Sequence, residues 1–141
     1  MTKLKKVLVP IDGSPNSLRA LAYVVRQNAR GHRTKVHLLN VQPRLPSSLF
    51  VTRAMISEYH LTQSEEALKP ARRLLVKSPL AVEESVAAGD PAATILKTAK
   101  RLRCQELVMG SRGLGSLKGL LLGSVTTRVL HLARMPVTVI P

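Results

Sequence analysis

Residues 7–14 of the chain read Val-Leu-Val-Pro-Ile-Asp-Gly-Ser. The apolar half of this stretch has no polar face, which is typical of a strand covered on both sides in a parallel sheet. It ends in Asp12-Gly13-Ser14, a turn containing residues that favour a helix N-cap. The stretch therefore predicts a buried strand that leads directly into a helix.

The rest of the chain repeats this pattern. Apolar residues recur at helical spacing from Leu18 to Ala29, and Gly31 is a natural stop for that helix. A helix is predicted to open at Asp90-Pro91 and another to run through Val125 and Val129. Further strands are predicted at residues 35–41, 80–88, 106–109 and 137–140. Strands that alternate with helices predict an α/β fold, an open doubly wound five-stranded parallel sheet with helices on both faces.

Residues 42–63 are harder to interpret. Pro43 and Pro46 mark a loop, and Thr62 followed by Glu65 has capping-box spacing for a helix to about residue 77. Pro70 lies inside that pattern, which predicts a kink or a later helix start. In the third strand, Val82 and Val86 share one face.

Length and composition exclude several classes of protein. The chain has 141 residues, 45% of them hydrophobic, which suits one folded domain spanning residues 1–141 and excludes a disordered polycation. Cys104 is the lone cysteine, so no disulfide can form within the chain. The apolar run after the lysine-rich segment 1–6 is too short for a signal peptide, and no stretch is long and apolar enough to span a membrane. We expect a cytoplasmic protein.

The formal charge of +14 raises the question of nucleic-acid binding. The basic residues are scattered singly and in pairs, many near predicted helix ends, where cations complement the helix dipole. Tyr23, Phe50 and Tyr59 are the aromatic residues, too few for a base-stacking surface. Nucleic acid is thus expected to be at most a non-specific partner.

Two predicted strand ends carry residues suited to an anion site. Ligands of open α/β sheets bind at the carboxyl ends of the strands, where strand order reverses. Asp12 follows the first strand, and Gly110-Ser111-Arg112-Gly113 follows the fourth. Glycine lets backbone N–H groups approach a phosphate, and the predicted helix start at 123–125 adds a partial positive charge. Arg112 could donate to the same phosphates.

General phosphate-binding motifs do not match this segment. A Walker A loop needs a Gly-Lys pair, which the chain lacks, and a dinucleotide fingerprint beginning at Gly113-x-Gly115 has Lys118 where glycine is required. Asp12 and Ser124 could alternatively serve only as helix caps, and the glycines only as a flexible connection. The four histidines lie on different elements and do not predict a metal site.

The spacing of the glycines is more specific. Gly110-x2-Gly113-x9-Gly123-Ser124 resembles the G-x2-G-x9-G-[ST] signature of the nucleotide-binding members of the universal stress protein family. The segments at 9–14, 89–92, 107–113, 122–125 and 136–140 are similar to that family in the same order. The resemblance covers essentially the whole chain as a single domain of this type.

The resemblance implies a sheet of order 3-2-1-4-5 that binds ATP across strands one and four. It also implies Mg²⁺ or Mn²⁺ held mainly by the phosphates, and a homodimer formed through strand 136–140. Asp12 would bond the ribose, Ile11 and Val41 would flank the adenine, and Met109 and Gly110 would form the floor. The residues implied for the whole site are Pro10, Ile11, Asp12, Val41, Met109, Gly110, Arg112, Gly113, Gly123, Ser124 and Val125.

The function expected from this resemblance is that of an ATP-binding stress-response regulatory protein whose state or partner surface depends on nucleotide. One alternative is a nucleotide-free dimeric interaction module of the same fold. Another is a slow ATP hydrolase, although the sequence offers no catalytic triad and no carboxylate pair placed for acid-base work.

Overall fold

The structure, a computed structural model, describes residues 4–114 and 121–141. Strands and helices alternate along these residues. The elements are β1 (Lys5–Pro10), α1 (Pro15–Ala29), β2 (Thr34–Gln42), α2 (Arg53–Leu75), β3 (Ala81–Ala88), α3 (Pro91–Arg101), β4 (Glu106–Gly110), α4 (Ser124–Leu132) and β5 (Val137–Ile140).

The strands form one parallel sheet in the order β3-β2-β1-β4-β5. β1 lies at its centre, with Val9 opposite Leu38 of β2 and Leu8 opposite Leu107 of β4. The chain moves outward in one direction after β1 and in the other after β4, so strand order reverses between these two strands. The predicted doubly wound fold and its strand order are confirmed.

Successive residues of β1 pack into two cores on opposite faces of the sheet. Val7 and Val9 belong to the core beneath α1 and α2, whereas Leu8 belongs to the core beneath α3 and α4. All three side chains are at most 3% exposed. Burying each contributes about 1.5–3 kcal/mol, and coverage of both faces explains why residues 7–10 of this strand carry no polar side chain.

The outer strand β3 is largely exposed. Val82 and Val86 share a face, as predicted, but they are 39% and 47% exposed. β3 lies at the edge of the sheet, where it pairs with β2 alone. The alternation that places Val82 and Val86 on one face therefore indicates a strand, but it does not indicate that this face is buried.

Helix α2 begins earlier than the sequence predicts. Thr52 caps it by accepting a hydrogen bond from Met55 N–H at 3.2 Å, and the helix then runs through Thr62 and Pro70 to Leu75. The predicted capping box at Thr62 is thus wrong, because Thr62 Oγ1 donates to the Glu58 carbonyl inside the helix. Among the described residues, no helix combines the length and apolar character needed to cross a membrane.

His37 of β2 is a half-buried titratable side chain, 12% exposed. Its Nε2 lies 2.7 Å from Ser85 Oγ, and its Nδ1 lies 3.6 Å from a carboxylate oxygen of Glu83. Burial lowers the pKa of His37 below its usual value, Glu83 opposes that shift, and Arg101 and Lys6 add to it. The folded protein therefore favours the neutral imidazole.

This burial makes stability depend on pH. A histidine that stays neutral in the folded state but titrates near pH 6.5 when unfolded stabilises the fold above that pH and loses the contribution as pH falls. We expect the free energy of unfolding in urea to decrease more between pH 7.5 and pH 5.5 for the native sequence than for His37→Gln. His131→Gln changes an exposed histidine and should keep the native pH dependence. Equal slopes in the native protein and His37→Gln would contradict this assignment.

Candidate functional site

A cavity of about 190 Å³ opens at the carboxyl edge of the sheet, between the ends of β1 and β4. Every site residue expected from the sequence lines it: Pro10, Ile11, Asp12, Val41, Met109, Gly110, Arg112, Gly113, Gly123, Ser124 and Val125. Six lining residues were not named as site residues from the sequence: Ser17, Leu39, Pro91, Ile95, Leu114 and Thr126. Of these, Ile95 was recognisable only as part of a buried helical stripe, and Leu39 only as part of a strand.

The cavity has an apolar floor. Leu39, Ile95 and Met109 are at most 5% exposed and come from β2, α3 and β4 respectively. Val41 of β2, which is half-buried, packs against the same core. Since these residues belong to one core, the floor is fixed by the packing of the α3 and α4 face and is preformed.

Asp12 lies at the end of β1 and connects two loops. Its Oδ1 accepts a hydrogen bond from Ser14 N–H at 2.8 Å, and its Oδ2 accepts one from Leu114 N–H at 3.0 Å. The first bond belongs to the turn that opens α1, and the second ties the chain after β4 to the end of β1. The carboxylate is half-buried between them.

Gly113 lies against that carboxylate. A Cβ atom at this position would collide with Asp12 Oδ2. A side chain at this position would displace the oxygen that accepts the Leu114 N–H, so glycine suits this bond within the protein itself.

Gly110 approaches the start of α1 closely. A Cβ there would lie 2.8 Å from the Asn16 carbonyl carbon, a distance at which something must shift. Next to it, Ser111 Oγ accepts from Asn16 Nδ2 at 3.1 Å, and Ser111 N–H donates to the Ile140 carbonyl at 2.8 Å. Ser111 therefore joins β4 to α1 and β5. Ser111 is 6% exposed, and nothing in the sequence indicated that this polar residue would be buried.

The N-terminus of α4 is held against the end of β4. Gly123 N–H donates to the Ser111 carbonyl at 2.7 Å, and Thr126 Oγ1 donates to the Gly110 carbonyl at 2.9 Å. Thr126 is 3% exposed, so this second bond is shielded from water. Together the two bonds fix the first turn of α4 at the rim of the cavity.

That first turn has no side-chain cap. α1, α2 and α3 are capped by Ser14, Thr52 and Asp90, each accepting a hydrogen bond from the first turn of its helix, whereas the N-cap of α4 is Gly123 and makes no such bond. The unsatisfied N–H groups and the positive end of the helix dipole can then act on an anion in the cavity.

The cavity lining carries two charged side chains in the described residues, Asp12 and Arg112. Arg112 is exposed, and none of the ion pairs found in residues 4–114 and 121–141 involves it. The same residues contain no cluster of three His, Cys, Asp or Glu that could hold a metal ion. Gly115 and Lys118 lie outside the described residues.

Two buried polar residues beneath the end of β1 were missed from the sequence. Asn40 Nδ2 donates to the Ile11 carbonyl at 2.8 Å, and Gln42 Nε2 donates to Asn40 Oδ1 at 2.7 Å. The Ile11 N–H donates to the Leu39 carbonyl. The Ile11 N–H and carbonyl are therefore both hydrogen-bonded within the protein. A carbonyl oxygen can accept two hydrogen bonds, so a ligand that bonds the Ile11 backbone would donate the second one to this oxygen.

Asp90 and Cys104 lie outside the cavity but have shifted pKa values. The hydrogen bond from Ala93 N–H, followed by the contact with Arg128, lowers the pKa of Asp90. Arg128 and Asp90 pair at 2.7 Å and join α4 to the start of α3. Burial raises the pKa of the Cys104 thiol, which keeps it protonated and poorly nucleophilic.

Replacement of Thr126 tests the attachment of α4. Thr126→Val keeps the side-chain shape but leaves the buried Gly110 carbonyl without this donor, so we expect a loss of about 1–3 kcal/mol in the free energy of unfolding. Thr127→Val is the matched control, since the Gly123 carbonyl that Thr127 Oγ1 contacts also accepts the Thr127 N–H. Urea denaturation should show the larger loss for Thr126→Val; an equal or smaller loss contradicts the attachment.

Comparisons with known proteins agree with this architecture. Residues 3–141 match the profile described as "Universal stress protein family". Universal stress protein YxiE of Bacillus subtilis is 32% identical over 145 residues, an alignment covering 96% of this chain and 97% of that protein.

Solved structures share the fold. Universal stress protein UspA from Lactobacillus plantarum superimposes with a TM-score of 0.83 at 20% identity, covering 100% of both chains. A universal stress protein in complex with cAMP superimposes with a TM-score of 0.61 at 26% identity, covering 99% of this chain and 98% of that one. From the match over residues 3–141 and the likeness to YxiE along nearly the whole length of both proteins, this chain belongs to the universal stress protein family.

Proposed function

We propose that this protein binds ATP in the cavity between β1 and β4 and acts as a regulatory protein whose state depends on the bound nucleotide. The observation that carries the proposal is the first turn of α4, which has no side-chain cap and lies at the rim of a cavity whose one basic side chain in the described residues is Arg112. The solved relative with cAMP adds support, because its ligand is an adenine nucleotide.

The adenine is assigned to the apolar floor. Val41 and Met109 offer the kind of surface against which a flat base can pack, and Ile11 contributes its backbone at the side. Asp12 is the hydrogen-bond acceptor for the ribose hydroxyls, since a carboxylate with two oxygens can accept bonds beyond the two it already has.

The phosphates are assigned to the rim. The N–H groups of Ser124 and Val125 belong to the first turn of α4, and a helix N-terminus favours negative charge. Arg112 supplies a planar group that can donate two bonds to one phosphate. Gly113 lets the backbone pass beside Asp12 without a side chain in between.

Mg²⁺ or Mn²⁺ is assigned mainly to the phosphates and water. Mg²⁺ bound with a nucleotide typically keeps several waters and takes one or two carboxylates from the protein. Asp12 is the one acidic side chain of the described lining, and both of its oxygens already accept backbone N–H groups. The described lining offers no second carboxylate to share acid-base work with Asp12, so any hydrolysis of ATP is expected to be slow.

The regulatory state is assigned to a homodimer formed through β5. The Leu107 and Ser111 N–H groups donate to the carbonyls of Pro136 and Ile140, so the even-numbered residues of β5 turn their polar groups toward β4. Val137 and Val139 then direct theirs outward, where the described chain supplies no neighbouring strand. An unpaired edge of this kind can pair with a second copy.

A nucleotide-free interaction module of the same fold is the second candidate. The observation favouring it is that Gly110 and Gly113 both make close contacts within the protein, with the Asn16 backbone and with the Asp12 side chain. Nucleotide released on denaturing the purified protein, measured by chromatography, decides against this candidate. Absence of heat on titration with millimolar ATP and Mg²⁺ decides for it.

Ser124→Glu tests the phosphate assignment. A carboxylate in the first turn of α4 satisfies the helix dipole and repels phosphate, so the fold should keep its stability while the affinity for ATP falls at least tenfold, equivalent to about 1.4 kcal/mol. Titration calorimetry with ATP and Mg²⁺ measures the affinity.

Met55→Glu is the matched control. It adds the same charge to the first turn of α2, at an exposed position that does not line the cavity. Its affinity for ATP should equal that of the native sequence. Equal loss of affinity in both variants would show an effect of net charge, and no loss in Ser124→Glu would remove the phosphates from this site.

Val139→Pro tests the dimer. Proline removes one of the two outward N–H groups of β5, leaves that of Val137, and keeps the bonds of residues 136 and 140 to β4 in place. We expect a monomer by light scattering coupled to size-exclusion chromatography, while Val139→Thr should remain dimeric. A native protein that elutes as a monomer contradicts the assignment without bearing on nucleotide binding.

A further inference from the structure

The fold brings together basic residues that are far apart in the sequence. In a parallel sheet with helical crossovers, every strand begins and every helix ends at the same edge. Here β1, β2 and β3 begin side by side, with Lys5 opposite Thr34 and Lys35 opposite Ala81. This amino edge lies opposite the candidate nucleotide cavity, which opens at the carboxyl ends of the strands.

Three helices end at this edge in basic residues. We call the following set the basic edge: Arg30 and Arg33 after α1, Lys77 after α2, and Lys100, Arg101 and Arg103 at the end of α3. All of them are exposed.

The contacts of β1 show that these ends meet. Lys5 N–H donates to the Arg33 carbonyl at 3.0 Å, which places the segment after α1 beside β1. Lys6 Nζ donates to the Leu102 carbonyl at 3.0 Å, which places the end of α3 beside the same strand. Arg101 and Lys6 both lower the pKa of His37, so their charges act at one point on the sheet.

Acidic side chains do not neutralise the basic edge. The two carboxylates at the start of β3 and β4 are already paired, Glu83 with Lys35 at 2.6 Å and Glu106 with Lys5 at 2.7 Å. Within residues 4–114 and 121–141, no ion pair includes a residue of the basic edge. Six of the 22 Lys and Arg residues of the chain therefore lie at this edge outside any ion pair found in the described residues.

Helix dipoles do not account for so many cations. One basic residue in the last turn of a helix contributes about 0.3–1 kcal/mol, and the effect is confined to that turn. Arg33, Lys77 and Arg103 follow the ends of their helices, and each repels its basic neighbours. A polyanionic partner would convert this repulsion into attraction.

We propose that the basic edge binds the phosphate backbone of duplex nucleic acid without sequence preference. Five strands at about 4.8 Å spacing make an edge roughly 19 Å wide. A duplex carries one charge per about 1.7 Å, so roughly 11 phosphate charges lie within that width. Side chains scattered over this distance can neutralise several of them at once.

The surroundings favour a duplex over a single strand or a membrane. Single strands require aromatic stacking, but Phe50 and Tyr59 lie at the start of α2, toward the carboxyl edge, and Tyr23 is half-buried. A membrane surface requires exposed apolar anchors. The most exposed ones, Leu49 and Phe50, are 97% and 87% exposed in that same distant segment, whereas Val76 beside Lys77 is 76% exposed and is aliphatic rather than aromatic. The basic edge itself presents cations, which is what phosphate backbones select.

The test is fluorescence anisotropy with a labelled duplex DNA of arbitrary sequence, titrated with the full chain at several salt concentrations. If about five phosphates are neutralised, a plot of log K against log salt has a slope of about −4 to −5. Arg33→Glu/Lys100→Glu should weaken binding at least tenfold at low salt and flatten the slope. Should this variant unfold by circular dichroism, Arg33→Gln/Lys100→Gln is expected to reduce the slope by about 2.

Arg44→Glu/Arg53→Glu is the matched control. It changes the net charge by the same amount, but both positions are exposed and lie near the carboxyl edge. Binding within twofold of the native protein is expected. Equal weakening by both double variants, or no DNA binding at low salt, overturns the proposal. So does binding to phosphatidylglycerol vesicles in place of DNA.

Discussion

The candidate site depends on the close approach between the end of β4 and the start of α1. Gly110 has no side chain, and a Cβ in its place would lie 2.8 Å from the backbone of Asn16. The approach lets Asn16 bond the Ser111 hydroxyl, and Ser111 in turn accepts the N–H of Gly123. The position of α4, and with it the rim of the cavity, follows from packing between β4 and α1 on the other face of the sheet.

The same constraint explains why the cavity opens here. β1 and β4 are neighbours, but the chain leaves them in opposite directions, and the connections after the two strands separate. Asp12 spans the gap by bonding Ser14 on its own side and Leu114 on the other. A ligand that bonds Asp12 would therefore affect the hydrogen bonds to both connections. Through the bond to Leu114, ligand binding could change the conformation of the chain after β4.

Much of this could be predicted from the sequence, because the signals were local. The strands stand out as apolar or alternating runs bounded by turn residues, and the family resemblance carried partly by the spacing of Gly110, Gly113 and Gly123 named 11 of the 17 described residues that line the cavity. The beginning of α2 was missed because residues 53–61 include Met55 and Leu61, 51% and 63% exposed, and show no buried stripe. The first part of α2 is stabilised by the Thr52 cap and by its continuity with the second half of the helix, where Leu68 and Ala71 are buried, rather than by an amphipathic face.

Other features depend on contacts that sequence spacing does not reveal. Asn40 and Gln42 are buried polar residues in a strand, and only the position of the Ile11 carbonyl explains the bond that Asn40 makes. Ser111 looks like any loop serine, yet it bonds three elements. The Thr62 capping box failed because a hydroxyl inside a helix can donate to the carbonyl four residues earlier.

The distribution of charge follows from the direction of the helices. In a doubly wound sheet all the positive helix ends lie at the carboxyl edge and all the negative ends at the amino edge. An anion at the carboxyl edge can thus be bound by backbone N–H groups, as proposed for α4, with few charged side chains. At the amino edge the dipoles disfavour anions, so attraction there must come from side-chain cations numerous enough to outweigh them. Backbone groups at fixed positions select one ligand shape, whereas mobile exposed cations attract any polyanion and are screened by salt. The basic edge and the glycine motif lie at opposite edges of the sheet, so the two proposed anion sites would use different kinds of recognition.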